Sequence, residues 1–129
     1  MREILFKAKT ISGNWVNGLL ANKNDKWYIS NKAGNPFAYE IHPETLCQFT
    51  GLCDKNGKRI WENDILMAHL DESYPEDTTY ETVEWGVAGW VTHEANSADR
   101  QYLDEFDLEH FEVVGNIFDN KELLQEEYK

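Results

Sequence analysis

The strongest constraint on the fold is the turn sequence Asp-Lys-Asn-Gly at residues 54–57, which lies between two apolar segments. Asp, Asn and Gly are the residues that tolerate the backbone angles of tight hairpin turns. Phe49 and Leu52 precede the turn and Ile60 follows it. Residues 48–66 are therefore predicted to form a hairpin that leads two strands into a β core. The predicted structural residues of this hairpin are Gly51, Asp54, Asn56, Gly57, Asn63 and Asp64.

The same turn begins like a calcium-binding loop, but its spacing excludes that site. An EF-hand loop needs glycine at its sixth position and a bidentate glutamate at its twelfth. Counted from Asp54, Gly57 is fourth and Ile65 is twelfth. A phosphate-binding loop is excluded as well, since Gly57 is not followed by Lys-Ser or Lys-Thr. The hairpin is predicted to be structural.

Short segments with alternating or apolar character predict strands through most of the chain. Before the hairpin they cover residues 4–8, 15–21, 27–30 and 37–41. After it they cover residues 64–71, 79–85, 87–93, 102–110 and 111–118. A helix is predicted at residues 120–129, where Asp119 and Glu122 have the spacing of a capping box.

These elements predict a mainly β (β-rich α+β) protein in a single compact unit, because 129 residues suit one domain. Residues 1–44 are expected to form an N-terminal antiparallel meander. Residues 45–129 are expected to form a small SH3-like or partly open β-barrel with a short C-terminal helix. The barrel expectation rests on fold analogy alone.

Charge divides the chain into two unlike parts. Residues 1–61 hold 9 basic and 5 acidic groups, whereas residues 62–129 hold 3 basic and 19 acidic groups, and the whole chain has a net charge of −12. This asymmetry repels nucleic-acid phosphates from the second part and favours a basic partner or self-association. An acidic surface with no charge-dependent partner is the alternative. The predicted acidic interaction face comprises Asp99, Asp104, Glu105, Asp107, Glu109 and Glu112.

Cysteine spacing and hydropathy predict a protein of the cytoplasm. Cys47 and Cys53 match neither Cys-x-x-Cys nor half of a zinc pattern, so two free thiols are expected in preference to a disulfide. No apolar run is long enough to cross a membrane, and the first residues do not read as a signal peptide. No membrane association is therefore expected.

The sequence predicts no catalytic residue, no cofactor and no metal site. No Gly-x-Ser-x-Gly elbow occurs, and the four histidines, at 42, 69, 93 and 110, form no metal-binding pair on a helix. Carboxylate pairs such as Asp64 with Glu84 leave a metal-dependent hydrolase open as an alternative. The protein is nevertheless expected not to be an enzyme.

The tryptophans suit packing better than nucleobase stacking. Trp85 and Trp90 lie in the acidic part and are predicted to be core or interface anchors. Trp15 and Trp27 lie among lysines, which leaves weak nucleic-acid binding by the N-terminal face as an alternative. Direct nucleic-acid binding is not the expected function.

Four segments together resemble the YopX family of phage and prophage proteins. They are residues 1–9 together with 15–18, residues 48–66, residues 83–85 and residues 113–124, and the Thr-Gly-Leu hairpin and the Gly-Asn-Ile ending are the most specific pieces. Family members usually have Gly where this chain has Asn63, but Asn tolerates positive φ, so the turn is expected to persist. Relatives commonly have Pro where this chain has Lys121, which is compatible with a first helical turn.

The resemblance implies no catalytic residues. It implies a phage or prophage accessory protein in a bacterial host cell, acting by binding a protein partner or by assembling as a homo-oligomer. One alternative is a nucleic-acid mimic whose carboxylates occupy a DNA-binding host protein. The other is the metal-dependent hydrolase.

Overall fold

The computed structural model describes residues 4–30, 38–69, 78–95, 97–104 and 107–125. It divides into two compact units, Met1–Gly51 and Leu52–Lys129, and the boundary falls within one strand. Two β-sheets account for most of the described residues. The mainly β prediction is confirmed, and over the described residues the sheets are not closed into a barrel.

The first sheet contains six strands in the order β4-β3-β2-β1-β5-β6. They are β1 (Phe6–Lys9), β2 (Trp15–Lys23), β3 (Lys26–Ser30), β4 (Ala38–Glu40), β5 (Cys47–Cys53) and β6 (Arg59–Trp61). Strands β1 to β4 pair in sequence order, each antiparallel to the next. The predicted N-terminal antiparallel meander is therefore confirmed.

The turn between β2 and β3 follows from its two central residues. Asn24 and Asp25 have φ angles of 56° and 63°. A two-residue loop with both φ angles positive matches the right-handed twist of the strands that it joins. The core of the first unit is formed by buried Ala8, Ile29 and Ile41.

The second sheet contains five strands in the order β10-β9-β8-β7-β11. They are β7 (Asp64–His69), β8 (Thr78–Trp85), β9 (Trp90–Glu94), β10 (Gln101–Tyr102) and β11 (Glu112–Asn116). A short helix, α1 (Glu122–Gln125), follows β11. The core of the second unit, Leu52–Lys129, is formed by buried apolar residues. They are Ile60, Leu66, Ala68, Val83, Trp90, Leu103, Phe111 and Val113.

The long strand predicted over residues 102–110 is wrong. Strand β10 ends at Tyr102, and Asp107–Glu109 form a 3-10 turn. Leu103 and Phe111 are buried in the core, and Leu108 packs against it from the 3-10 turn. Their spacing is not the period of two that one strand face requires, so the chain leaves the sheet to bury them. Glu105 and Phe106 lie outside the described residues.

Two other boundaries differ from the sequence predictions. Strand β9 begins at Trp90, because residues 86–89 form a tight turn in which Gly86 N–H donates to Gly89 O at 2.7 Å. The described helix covers Glu122–Gln125, and residues 126–129 lie outside the described residues. Cys47 and Cys53 are free thiols, as predicted.

Candidate functional site

The hairpin turn is organised by the carboxylate of Asp54. Its Oδ1 accepts hydrogen bonds from the N–H groups of Asn56 and Lys58, each at 2.8 Å. Its Oδ2 accepts from Val113 N–H on β11 at 2.9 Å. Burial acts to raise the pKa of Asp54, but the donors on Val113, Lys58 and Asn56, aided by the Lys58 charge, outweigh burial and hold this pKa below its ordinary value.

The other hairpin residues also have structural positions. Gly51 and Gly57 have positive φ angles of 87° and 80°. Asn63 has φ of 70°, so the positive φ expected for Asn at this position is confirmed. Asp64 is buried, and its Oδ2 accepts from Trp61 N–H at 2.8 Å.

The hairpin is joined to the C-terminal segment at three places. Besides the bond from Val113 to Asp54, Lys55 N–H donates to Phe111 O at 3.2 Å and Ile117 N–H donates to Asn63 O at 3.0 Å. The hairpin and the C-terminal segment, which are far apart in the chain, are therefore hydrogen-bonded to each other. The hairpin residues therefore have a structural role, which is to hold the C-terminal segment in place.

The predicted acidic face is distributed over different elements. Asp99 is exposed in the loop before β10, Asp104 is exposed after β10, and Glu109 is exposed in the 3-10 turn. Glu112 is half-buried on β11, opposite Met67. Glu105 lies outside the described residues, and the Asp107 side chain is not described. No single strand carries these carboxylates.

Three exposed apolar side chains lie at one end of strands β8, β9 and β10, and we call them the apolar tip. Trp85, Val87 and Tyr102 are 54%, 102% and 56% exposed. The Trp85 ring packs edge-on against buried Trp90, with centroids 4.9 Å apart. A Cβ built on Gly89 would lie 3.7 Å from the Tyr102 ring, so this ring borders the turn that carries Val87. Trp85 therefore packs against a buried ring while much of its own surface remains in contact with solvent.

A polar network lies on the face of β8 and β9 that carries Thr82 and His93. The Thr82 Oγ1 and His93 Nε2 atoms are 2.8 Å apart, and His93 Nδ1 lies 3.0 Å from Glu94 O. Because a carbonyl oxygen only accepts, the Nδ1 contact assigns a proton to that nitrogen, and in the neutral ring Nε2 accepts from Thr82. Glu84 Oε2 lies 3.6 Å from His93 Nε2, and Glu84 Oε1 accepts from Arg100.

A cleft of about 500 Å³ lies next to this network, between β8–β9 and the segment that follows β11. Its apolar wall is formed by Ala95, Ile117, Phe118 and Leu124, and it is also bordered by Val83, whose side chain is buried in the core. Its polar groups belong to Asn63, Thr82, Glu84, His93 and Lys121. Size and mixed lining are typical of small-ligand sites, which range from roughly 300 to 1,000 Å³.

The parts of the chain that the structure describes contain no group of three or more His, Cys, Asp or Glu side chains that could hold a metal ion. Asp64 and Glu84 are the carboxylate pair that left a metal-dependent hydrolase open as an alternative. Asp64 accepts a hydrogen bond from Trp61 N–H, and Glu84 accepts one from Arg100.

In the first unit, the Lys7 and Lys9 ammonium groups lie 4.8 Å and 5.6 Å from the centroid of the Trp15 ring. Among the described helices, none is long and apolar enough to cross a bilayer.

Sequence reasoning found one member of the apolar tip and missed the cleft. Trp85 was predictable as an anchor by residue type, and the Val at position 87 inside a glycine-flanked turn was a signal for an exposed apolar side chain. Thr82 and His93 are paired across β8 and β9, and the other cleft residues come from segments distant in the sequence. A local sequence pattern does not predict contacts between such distant residues.

Comparison with known proteins gives one family and one fold. The family model described as YopX protein matches residues 7–125. Among matching solved structures, the crystal structure of protein EF1440 from Enterococcus faecalis has a TM-score of 0.60 and 21% sequence identity, covering 96% of this chain and 99% of that chain. At this identity the similarity shows a shared fold. None of the curated proteins matches this chain.

Proposed function

The chain belongs to the YopX family, and from that premise we propose that it is a phage or prophage accessory protein that acts in the bacterial cytoplasm by binding another protein. The apolar tip is the observation that carries this proposal. Trp85, Val87 and Tyr102 expose apolar surface from β8, from the turn after it and from β10, which lie in the same sheet. The proposal includes no catalytic step.

The residue types of the apolar tip suit an interface. Trp and Tyr are enriched among residues that dominate binding energy, since they bury large areas with few rotatable bonds. Packing against Trp90 restrains the Trp85 ring before binding. A restrained side chain loses less entropy on association.

The charge of the second unit supports a partner with a basic surface. Exposed Asp99, Asp104 and Glu109 belong to the same unit as the tip, in a part of the chain where acidic groups outnumber basic groups by 19 to 3. Complementary charge accelerates association and fixes orientation. The proposed partner is a protein that presents an apolar pocket with a basic rim.

The test compares two substitutions that place the same charge at exposed apolar positions. Val87→Asp alters the tip, and Ile11→Asp is the matched control in the other unit, where Ile11 is 54% exposed. Tagged wild-type and variant proteins are used for affinity capture from the bacterial host with mass spectrometry. Each captured protein is then purified and its affinity is measured directly.

A partner of the tip binds wild-type protein and Ile11→Asp equally, and binds Val87→Asp at least about tenfold more weakly. Neutralising Asp99, Asp104 and Glu109 together slows association and reduces its salt dependence. Equal binding by Val87→Asp and Ile11→Asp, with every purified partner, contradicts the proposal.

A second copy of this chain is the other partner that charge supports. Residues 1–61 have a net charge of +4 and residues 62–129 a net charge of −16. Contact between unlike surfaces of two copies builds rings or filaments. Light scattering at varied salt tests this homo-oligomer, since a monomer at micromolar concentration under all salt conditions contradicts it.

The remaining alternatives have less support. A nucleic-acid mimic needs carboxylates in rows, whereas Asp99, Asp104, Glu109 and Glu112 lie on a loop, near a strand end, on a turn and on a strand. The result that would distinguish a nucleic-acid mimic is salt-sensitive capture of a DNA-binding host protein. Neutralising Asp99, Asp104 and Glu109 would abolish this capture. A metal-dependent hydrolase predicts thermal stabilisation by Mg²⁺, Mn²⁺, Zn²⁺ or Ca²⁺.

A further inference from the structure

We propose that the cleft beside His93 binds a small carboxylate with an apolar body, independently of protein binding at the apolar tip. The volume of about 500 Å³ accommodates such a molecule. The apolar side chains of Ala95, Ile117, Phe118 and Leu124 would hold its body. The charged side chains at the cleft favour a carboxylate as its head group.

The distribution of positive charge distinguishes this cleft from the rest of the second unit. Residues 62–129 contain only three basic residues, which are Arg100, Lys121 and Lys129. Lys121 lines the cleft, and Arg100 binds the lining residue Glu84. Two of the three cations in a strongly acidic region therefore gather at one cleft.

Among the described residues, the charged group of the cleft lining that has no counter-ion is the Lys121 ammonium group. Glu84 has a counter-ion, because Arg100 Nε donates to its Oε1. Lys121 is exposed, and within the described ranges it has no carboxylate within ion-pair distance. A ligand carboxylate reaching Lys121 forms a charge-assisted contact, while a ligand cation meets an already compensated Glu84.

The neutral polar side chains of Thr82 and His93 in the cleft lining are hydrogen-bonded to each other. Thr82 and His93 are hydrogen-bonded at 2.8 Å, and His93 is also held by Glu94 O. Both side chains therefore have hydrogen-bond partners already, and neither needs a polar atom of the ligand. The apolar body rests beside this pair, and the head group remains at the opening with Lys121.

The probes are phenylacetate and its uncharged counterpart phenylacetamide, titrated into the full chain and followed by NMR shifts of the Ile117 and Phe118 amides. Phenylacetate is expected to bind about three- to fivefold more tightly, as befits an exposed ion pair. Lys121→Gln is expected to remove this preference and to leave phenylacetamide binding unchanged. Lys23→Gln, which removes the same charge from an exposed position in the first unit, is the control and retains the preference.

Ala95→Phe tests the cleft itself. Ala95 is half-buried in the wall, so a phenyl group at this position occupies the volume. Both probes are expected to bind about tenfold more weakly. Melting temperature confirms that each variant is folded, and Val87→Asp at the tip is expected to bind both probes normally.

Three results overturn the proposal. They are the absence of saturable shifts with either probe, equal affinity of wild-type protein for both probes, and unchanged binding by folded Ala95→Phe. A preference for phenylacetate that survives Lys121→Gln also overturns the assigned role of Lys121.

Discussion

Asp54 Oδ2, in the turn between β5 and β6, accepts a hydrogen bond from Val113 N–H on β11 at 2.9 Å, across 59 positions of sequence. The other oxygen of the same carboxylate closes the turn by accepting from Asn56 and Lys58. One side chain thus shapes a local hairpin and attaches a distant strand to it.

Asp54→Asn is expected to lower the free energy of unfolding by about 1–3 kcal/mol. An amide offers one acceptor oxygen, so either the turn donors or Val113 N–H lose their partner in a buried position. Urea denaturation measures the change. Asp99→Asn, at an exposed position, is the control and is expected to change stability by less than about 0.5 kcal/mol.

The stabilisation by Asp54 is expected to depend on pH in the acid range. Because the folded pKa of Asp54 is lower than the ordinary value of 3.8, the unfolded chain binds this proton more readily. The contribution is therefore fully present above about pH 3.8 and is lost as pH falls through the folded pKa. Urea denaturation at several pH values would show wild type losing stability relative to Asp54→Asn on acidification. A constant difference between them contradicts this assignment.

Asn63→Val is expected to destabilise the protein by about 1–2 kcal/mol more than Asn63→Gly, because φ of 70° crowds a β-branched side chain. Both substitutions remove the Asn side chain, so their difference isolates the backbone conformation. Thermal unfolding measures it. Similar stability of the two variants would show that this positive φ is not required.

Gly18→Ala is expected to cost about 3 kcal/mol, since an added Cβ would lie 2.2 Å from the backbone oxygen of Ser30 on the paired strand β3. Gly13→Ala is the control for conformation alone, because φ is 94° and nothing lies within 4 Å of an added Cβ. Its expected cost is about 1 kcal/mol. Chemical denaturation of both variants compares the two effects, and equal costs would exclude the steric explanation.

The sequence by itself determined the features that depend on neighbours along the chain. Alternation within β1, the Asp-Lys-Asn-Gly turn and the positive φ at Asn63 follow from side-chain periodicity and local backbone sterics. The family also follows from the sequence, because the family model matches residues 7–125.

Tertiary structure decided the features that depend on residues far apart in the chain. Alternation at residues 102–110 predicts a strand, yet Leu103 and Phe111 are buried in the core from irregular segments outside the strands. The exposed fraction of Trp85, the meeting of Thr82 with His93 and the bond from Val113 to Asp54 likewise require the folded sheet. Burial and long-range hydrogen bonds are set by packing, which brings together atoms that no local pattern relates.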